Sequence, residues 1–272
     1  MAIKNFTYDG ISLNEFDNGL YVIAFFDTGS SSNEGERTIE RTSMFMGKYQ
    51  PFIYQKYEDT LTFSIGLVKN PCLTDEMEIT VLEMENLKRW LCRPIPGKFK
   101  VHGNDDTDMF YEYEEIYWEG TFNLQEISLN GKRVGVTLEF ISTRPYALQE
   151  DTGISGIVEA EGTIIIDDNS AETGYIYPDI TVRCLESGDL TIYNSIDQRA
   201  TVIKNCSENE IITFSKELQI QSSDPTHDIY NDFNFIFLRI SNDYYNTINE
   251  IAFSLNCEYE ITYNPIRKVL PV

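Results

Sequence analysis

The feature that most constrains the fold is the alternation of apolar and polar residues in the second half of the chain. Apolar side chains occupy every second position from Ile180 to Cys184, and the pattern returns at Leu190 and Ile192 after a turn at Ser187-Gly188-Asp189. A side-chain period of two is typical of a β-strand with one buried face. The alternation and the glycine turn therefore predict a hairpin over residues 177–194.

The rest of this half has the same character and contains no helical stretch. The pattern predicts further short strands over residues 163–166, 200–203, 210–214, 218–221, 234–240, 248–255 and 258–263. Turn residues separate these strands at intervals of about ten residues, which is the spacing expected of a β-sandwich.

The first half is also predicted to be rich in strands, but it contains one helix. Strands are predicted over residues 6–11, 20–26, 50–57 and 60–68, and a helix from Asp75 to Cys92. Asp75 and Glu78 fit a capping box at its start, and prolines follow its end. Trp90 extends the apolar stripe of this helix, so it either packs on a sheet or serves as a ligand-binding aromatic residue.

A long hairpin is predicted after the helix. Its strands run from Glu115 to Leu129 and from Lys132 to Ile141, and Asn130-Gly131 forms the turn. Asn-Gly favours a two-residue turn in which both residues have positive φ. The chain therefore divides into a β domain with one helix over residues 1–147 and a second β domain over 175–272. Residues 148–174, rich in Gly, Asp, Glu and Ser, are predicted to be a linker or an edge strand.

The composition excludes several classes of function. The formal net charge is −23 and the isoelectric point is about 4.3, so the chain does not resemble a nucleic-acid reader, which needs a cationic surface. No run of roughly 18 apolar residues is present, so no membrane span is predicted. The start lacks a signal-peptide pattern, and we expect synthesis in the cytoplasm. The five cysteines form no CxxC pair, so each is predicted to be a small buried or half-buried apolar residue.

No catalytic or cofactor-binding residue is predicted. His102 and His227 are the two histidines, and His227 and Asp228 are adjacent in sequence, which does not suit a catalytic triad. An acidic segment has the ligand spacing of an EF-hand loop, with the positions Asn104, Asp106, Asp108, Phe110, Glu112 and Glu115. Because Met109 stands where such a loop needs glycine, and strands rather than helices flank the segment, it is interpreted as a solvated acidic loop. No metal site is predicted.

The order of these pieces resembles the distal tail (Dit) proteins of siphophage-type tails. The resemblance rests on short segments at matching places along the chain: Phe6-x-Tyr8-Asp9-Gly10-Ile11, Lys88-Arg89-Trp90-Leu91, Arg144-Pro145-Tyr146, Tyr177-Pro178-Asp179-Ile180, Leu190-Thr191-Ile192-Tyr193-Asn194, Glu210-Ile211-Ile212-Thr213-Phe214 and Asn234-Phe235-Ile236-Phe237-Leu238. The family usually continues with a Pro-Gly-Asn turn after the last of these, whereas residues 241–246 of this chain read Ser-Asn-Asp-Tyr-Tyr-Asn.

The resemblance implies a mainly β protein with an N-terminal β-sandwich, one α-helix, a long hairpin and a C-terminal galectin-like β-sandwich. It implies a non-enzymatic structural component of a phage or prophage tail tip in the virion. A homo-hexameric ring would connect the tail tube protein to the tail-associated hub protein and to receptor-binding proteins. The candidate contact residues between subunits are Ser31, Asn33, Glu34, Asn130 and Gly131. Part of the acidic surplus would then face a channel through which DNA passes.

Two other functions compete with this interpretation: a carbohydrate-binding module for host-surface glycans and a hydrolase of cell-wall glycan. Sugar sites usually contain a stacking aromatic residue, and both tryptophans, Trp90 and Trp118, lie in the first half. Several tyrosines of the second half could substitute: Tyr175, Tyr177, Tyr193, Tyr230, Tyr244 and Tyr245. Because the second domain lacks tryptophan, we expect it to have no strong affinity for glycans.

Overall fold

The computed structural model describes residues 4–27, 37–42, 52–57, 61–102 and 115–269. The chain forms two compact units, of which the first comprises Met1–Leu148 with Lys268–Val272 and the second comprises Gln149–Arg267. Short antiparallel strands dominate both units, so the prediction of a mainly β protein is confirmed.

The described part of residues 4–149 contains ten strands and one helix of more than one turn. The strands are β1 (Asn5–Tyr8), β2 (Ile11–Ser12), β3 (Tyr21–Asp27), β4 (Arg37–Thr42), β5 (Phe52–Tyr57), β6 (Thr62–Lys69), β7 (Gly97–His102), β8 (Ile116–Leu129), β9 (Lys132–Ser142) and β10 (Ala147–Gln149), and the helix is α1 (Val81–Leu91). A 3-10 turn spans Phe16–Gly19. The main sheet has the order β2-β1-β7-β8-β9-β6-β3, and β4 pairs separately with β5.

A connected cluster of aromatic side chains lies within the core of the first unit. Phe99 lies at its centre, with ring centroids of Phe63, Phe122 and Phe140 between 5.0 and 5.5 Å away. The face of β6 predicted from its alternation is buried as expected, at Leu61, Phe63, Ile65 and Leu67. These rings arrive from neighbouring strands of one sheet, so burial of apolar area stabilises their shared face.

Helix α1 covers this core but begins later than the sequence predicted. Its N-cap is Thr80, whose hydroxyl accepts from the backbone N–H of Glu83 while the Glu83 carboxylate accepts from that of Thr80. The preceding residues run beside the hairpin, where the backbone N–H of Ile79 donates to the carbonyl of Arg133 at 2.7 Å. A helix from Asp75 would lose that bond, so the predicted capping box at Asp75 and Glu78 is wrong.

Trp90 is a core residue of this helix. Its ring is 3% exposed and stacks on Phe16 with centroids 4.3 Å apart, and its indole N–H donates to the carbonyl of Tyr8 at 3.2 Å. These contacts favour the packing interpretation of Trp90 over the ligand-binding one.

The long hairpin is formed as predicted. Strands β8 and β9 pair antiparallel, and Leu129 lies opposite Lys132 across the turn. Asn130 and Gly131 have φ values of 51° and 78°, the left-handed region that this turn needs. The prediction of the hairpin and its turn is confirmed.

The described part of residues 150–269 adds twelve strands and one short helix. They are β11 (Thr152–Val158), β12 (Thr163–Asp167), β13 (Gly174–Ile176), β14 (Asp179–Cys184), β15 (Gly188–Asn194), β16 (Arg199–Cys206), β17 (Ile211–Phe214), β18 (Ile220–Ser222), β19 (Ile240–Asn242), β20 (Ile248–Phe253), β21 (Cys257–Tyr263), β22 (Ile266–Arg267) and the helix α2 (Ile229–Asp232). A five-stranded sheet has the order β11-β21-β14-β17-β18, and a four-stranded sheet has the order β12-β20-β15-β16. The two sheets contribute to one hydrophobic core.

The predicted hairpin over residues 177–194 is wrong in its pairing. Strand β14 pairs with β17 and β21, whereas β15 pairs with β16 and β20, so the turn after Cys184 connects the two sheets. The alternation itself is present, since Ile180, Val182, Leu190 and Ile192 are all buried. Both strands direct their apolar faces into the shared core, which is what opposed sheets of a sandwich require.

Residues 148–174, predicted as a linker or an edge strand, contain two edge strands of the second unit. Strand β11 pairs with β21 at the edge of one sheet, and β12 pairs with β20 at the edge of the other. Val158 and Ile166 from these strands are buried in the core. The second unit therefore begins near residue 149 and not at 175, and Lys268 belongs to the first unit.

Candidate interaction surfaces

The tip of the β8–β9 hairpin is the most exposed apolar part of the main sheet of the first unit. The side chains from Glu126 to Lys132 are all exposed, and this stretch includes Ile127 and Leu129, which is 63% exposed. Asn130 and Gly131, two of the predicted contact residues, form this tip. Ser31, Asn33 and Glu34 lie outside the described residues.

Ion pairs hold the base of this hairpin tip against α1 and the residues before it. Lys132 Nζ lies 3.2 Å from Glu78 Oε2, and Lys88 Nζ lies 3.5 Å from Glu126 Oε1. Both pairs are exposed, so each contributes little to stability. The Ile79–Arg133 backbone bond is a third contact between the hairpin and the residues before α1.

The second unit has a polar interior that the sequence did not reveal. Asn249 is fully buried, and its Oδ1 accepts from Asn194 Nδ2 and from the backbone N–H of Ser241, each at 2.8 Å. Its Nδ2 donates to the carbonyls of Ser241 and Thr247. Asparagine at an inward position of a strand satisfies buried backbone groups in this way.

His227 forms a second buried cluster, with Glu210 and Asp232. His227 Nδ1 donates to Glu210 Oε1 at 2.6 Å, and Nε2 lies 3.4 Å from Asp232 Oδ2. Burial by itself lowers the pKa of His227, but the hydrogen bond and charge of Glu210 outweigh burial and raise it. The adjacent Asp228 is not the partner; the carboxylates that contact His227 lie five positions after it, at Asp232, and 17 positions before it, at Glu210.

This cluster lacks the elements of a hydrolytic site. The hydroxyl of Ser222 donates to Glu210 Oε1 at 2.5 Å, so it is bonded to the carboxylate and not to the imidazole. The side chains of His227 and Glu210 are 3% and 0% exposed, which leaves no access for a glycan. The constellation fits a structural network better than nucleophilic catalysis.

The cysteines divide into two groups. Cys184, Cys206 and Cys257 are buried in the second unit, and burial raises the pKa of the Cys257 thiol to about 12, so that thiol stays protonated. Cys72 and Cys92 are exposed, so their predicted burial is wrong.

No cluster of metal-ligating side chains occurs among the described residues. Except for Glu115, the candidate EF-hand ligands lie outside that part of the chain.

Negative charge is concentrated in the second unit. Residues 149–267 contain 21 acidic and six basic residues, a formal net charge of −15, whereas the first unit contains 23 acidic and 15 basic residues, a net charge of −8. Tyr244 and Tyr245 are the most exposed of the candidate tyrosines, and the Arg239 guanidinium covers the ring of Tyr175 at 3.8 Å. The second unit is therefore an acidic sandwich with scattered exposed aromatic residues.

Comparisons with known proteins assign this two-unit architecture to a family. A protein-family model described as "Phage tail protein N-terminal domain" matches residues 1–144, and one described as "Phage tail C-terminal domain" matches residues 146–263. The chain belongs to a family of phage tail proteins. No curated protein sequence matches this tail protein.

A solved structure has the same fold. The crystal structure of the Dit protein of phage SPP1, described as a paradigm of the hub adsorption apparatus in phages that infect Gram-positive bacteria, matches with a TM-score of 0.65 and 10% identity. The match covers 96% of this tail protein and 99% of the SPP1 chain. In the described part of the tail protein, no helix has the length and apolar character needed to cross a membrane.

Proposed function

We propose that this tail protein forms a ring of six copies at the distal end of a phage tail. The ring would join the tail tube protein to the tail-associated hub protein and to receptor-binding proteins, and the chain would act as a scaffold without enzymatic activity. The observation that carries this proposal is the fold match with SPP1 Dit over nearly the whole length of both chains.

The first unit has two features that suit self-assembly. Among the described residues, β3 is the last strand at one edge of the main sheet, and edge strands readily pair with another chain. The hairpin tip presents Ile127 and Leu129 on an arm whose base is anchored by ion pairs. Two different surfaces of one subunit that fit each other generate a heterologous contact, which closes into a ring when the rotation allows it.

The charge distribution bears on the proposed channel. With −15 of the formal −23 in the second unit, the first unit alone supplies a smaller negative charge to a channel wall. A moderately acidic wall would still repel the phosphate backbone of DNA and so prevent adsorption.

Analytical ultracentrifugation at high concentration, alone and after co-expression with the adjacent tail proteins, tests this proposal. We expect hexamers for the natural sequence and a shift toward monomers for Leu129→Glu at the hairpin tip. Ile165→Glu is a matched control, because Ile165 in the second unit is 65% exposed, close to the 63% of Leu129. A chain that stays monomeric under both conditions would refute the ring, and equal dissociation of both variants would refute the role of the tip.

A further inference from the structure

The outer face of β12 and β20 presents two isoleucines to solvent. Across this strand pair Ile165 lies opposite Glu250, and Asp167 lies opposite Ile248. All four side chains are exposed, because the alternate residues of both strands are directed into the core of the sandwich. Each isoleucine therefore has one carboxylate opposite it and another two residues along its own strand.

The loop of residues 243–247 adjoins this face and adds two exposed tyrosines. It is fixed to β12, because the Thr247 hydroxyl donates to Asp167 Oδ1 at 2.5 Å. Tyr244 and Tyr245 are 74% and 92% exposed, and their rings meet edge to face with centroids 5.1 Å apart. The rings contact each other but are left open to solvent.

Hydrogen bonds fix the backbone that carries these rings. Asp243 Oδ1 accepts from the backbone N–H groups of Tyr245 and Asn246, at 3.1 and 2.7 Å. Asn242 Oδ1 accepts from the backbone N–H of Tyr244 at 2.9 Å. A backbone held in this way has little freedom left to lose on binding, and tyrosine supplies a large contact area with few rotatable bonds. The two rings are therefore well placed to contact another molecule.

These neighbouring residues form one surface, the β12–β20 patch, which comprises Ile165, Asp167, Tyr244, Tyr245, Ile248 and Glu250. With about 150–250 Å² for each aromatic side chain, the two tyrosines alone expose roughly 250–400 Å². Apolar residues that are exposed singly need no explanation, but a patch of several hundred Å² on a soluble protein marks an interaction site.

The charge of the β12–β20 patch is negative. Residues 145–182 and 240–266, which contain all of its members, include no lysine or arginine. Arg239, which precedes β19, donates to the Tyr177 hydroxyl, and Lys204 belongs to β16 at the opposite edge of the sheet. The two strands and the loop therefore supply no cation to balance the carboxylates of the patch.

We propose that the β12–β20 patch is a docking surface for another protein that presents lysine or arginine side chains around apolar ones. The isoleucines and tyrosines are buried against the apolar side chains of this partner, and Asp167 and Glu250 face its cations. A guanidinium or ammonium group also binds favourably over a tyrosine ring. The same patch on a second copy carries like charge, which disfavours self-association through this surface. This contact does not require the ring of six copies.

Fluorescence anisotropy of labelled peptides, titrated with the full chain, tests the docking surface. The probe is a short amphipathic helical peptide with leucines on one face and lysines on the other, and a matched peptide has glutamate in place of every lysine. We expect the lysine peptide to bind at least about tenfold more tightly, with an affinity that falls as salt is added. Equal affinity for the two peptides would overturn the proposal.

Variants of apolar residues separate the patch from the net charge of the chain. Tyr245→Ser and Ile165→Ser should each weaken binding of the lysine peptide about tenfold, because each removes a large apolar side chain from the contact. Ile157→Ser is the matched control, since Ile157 is 73% exposed on the outer face of the other sheet, and it should bind like the natural sequence. Unchanged affinity in the first two variants would show that net charge alone holds the peptide, and an equal loss in Ile157→Ser would contradict the location.

The last variants test the charge and the independence from the ring. Glu250→Gln should weaken binding and reduce its dependence on salt, whereas Glu260→Gln, at an exposed position of the other sheet, should do neither. Leu129→Glu, which is expected to dissociate the ring, should bind the peptide like the natural sequence, so failure of the ring and failure of the patch are distinguishable. Displacement of the peptide by dextran, a neutral glycan, would indicate a sugar site and contradict the proposal.

Discussion

The two units differ in what fills their interiors. The core of the first unit contains nine buried aromatic residues, which form a cluster of stacked and tilted rings among aliphatic side chains. The core of the second contains only four, and it adds three thiols and buried polar groups such as Asn249 and Glu210 to its aliphatic side chains. Ring packing is stabilised by burial and tolerates small shifts. Buried polar groups must each keep a partner, so their contribution depends on geometry and protonation. The same class of fold is therefore stabilised in two ways within one chain.

The largest effect is expected from Phe99→Ala in the first unit. Removal of a ring at the centre of the aromatic core creates a cavity, and we expect a loss of about 3–5 kcal/mol in the free energy of unfolding. Urea unfolding followed by tryptophan fluorescence measures it, because Trp90 and Trp118 both lie in this unit. Phe235→Ala, at an exposed position of the second unit, is the control and should leave this transition in place.

A smaller loss of about 2–3 kcal/mol is expected from Asn249→Ala in the second unit. The change removes the partner of the Ser241 backbone N–H and carbonyl and one of two partners each of Asn194 Nδ2 and the Thr247 carbonyl, and unsatisfied buried groups are costly. Hydrogen exchange of β15 and β20 should report the loss, while the tryptophan transition stays in place. An equal shift of both signals would show that the units unfold together and would break the comparison.

Thr80→Ala should cost about 1 kcal/mol, because it removes the hydroxyl that caps α1. The effect should appear in the tryptophan transition, since Trp90 is part of this helix. Ser128→Ala, at the exposed hairpin tip, provides the matched control and should change the midpoint little. If both variants behaved alike, the capping box would contribute nothing measurable.

The smallest expected effect is a difference in pH dependence between the units. Burial tends to raise the pKa of Glu83, but the hydrogen bonds from the Thr80 N–H and Lys69 lower it overall. The contribution of Glu83 to the stability of the first unit is therefore present above the usual pKa of 4.5 and is lost as the pH falls. The pKa of His227 is raised, so its contribution to the second unit is present below 6.5 and is lost as the pH rises. The unfolding midpoint of the first unit should therefore decline as the pH falls, and that of the second unit should decline as the pH rises. Glu83→Gln should remove only the decline of the first unit, and His227→Gln only that of the second.

Two turns show how far the sequence predicts this fold. Asn130-Gly131 specifies its own hairpin, because a two-residue turn with positive φ at both positions leaves the flanking strands no alternative but to pair. The turn at Ser187-Gly188-Asp189 joins equally regular strands, yet it connects two sheets. Alternation determines which face of a strand is buried but not which strand lies beside it, and that choice depends on residues distant in the sequence.

The same limit applies to the surfaces and clusters. The exposed tip at Asn130 could be located because it depends on local turn chemistry. The contacts of His227 with Glu210 and Asp232 could not, because they arise where a loop, a turn and a short helix meet in the folded unit. The start of α1 was misplaced for a related reason, since the backbone bond between Ile79 and Arg133 competes with the helix.

The ends of the second unit have a consequence for how the chain can be divided. Arg267 is buried and donates to Gln149 Oε1 and to Asn169, so the first and last residues of this unit are clasped together. Beyond the clasp, the indole N–H of Trp118 donates to the carbonyl of Val269 at 3.3 Å, within the first unit. The second unit is thus inserted between Leu148 and Lys268 of the first, and hydrogen bonds join its two ends. Exchange of residues 149–267 for another module with adjacent ends would respect both junctions, whereas truncation after Leu148 would also remove a piece of the first core.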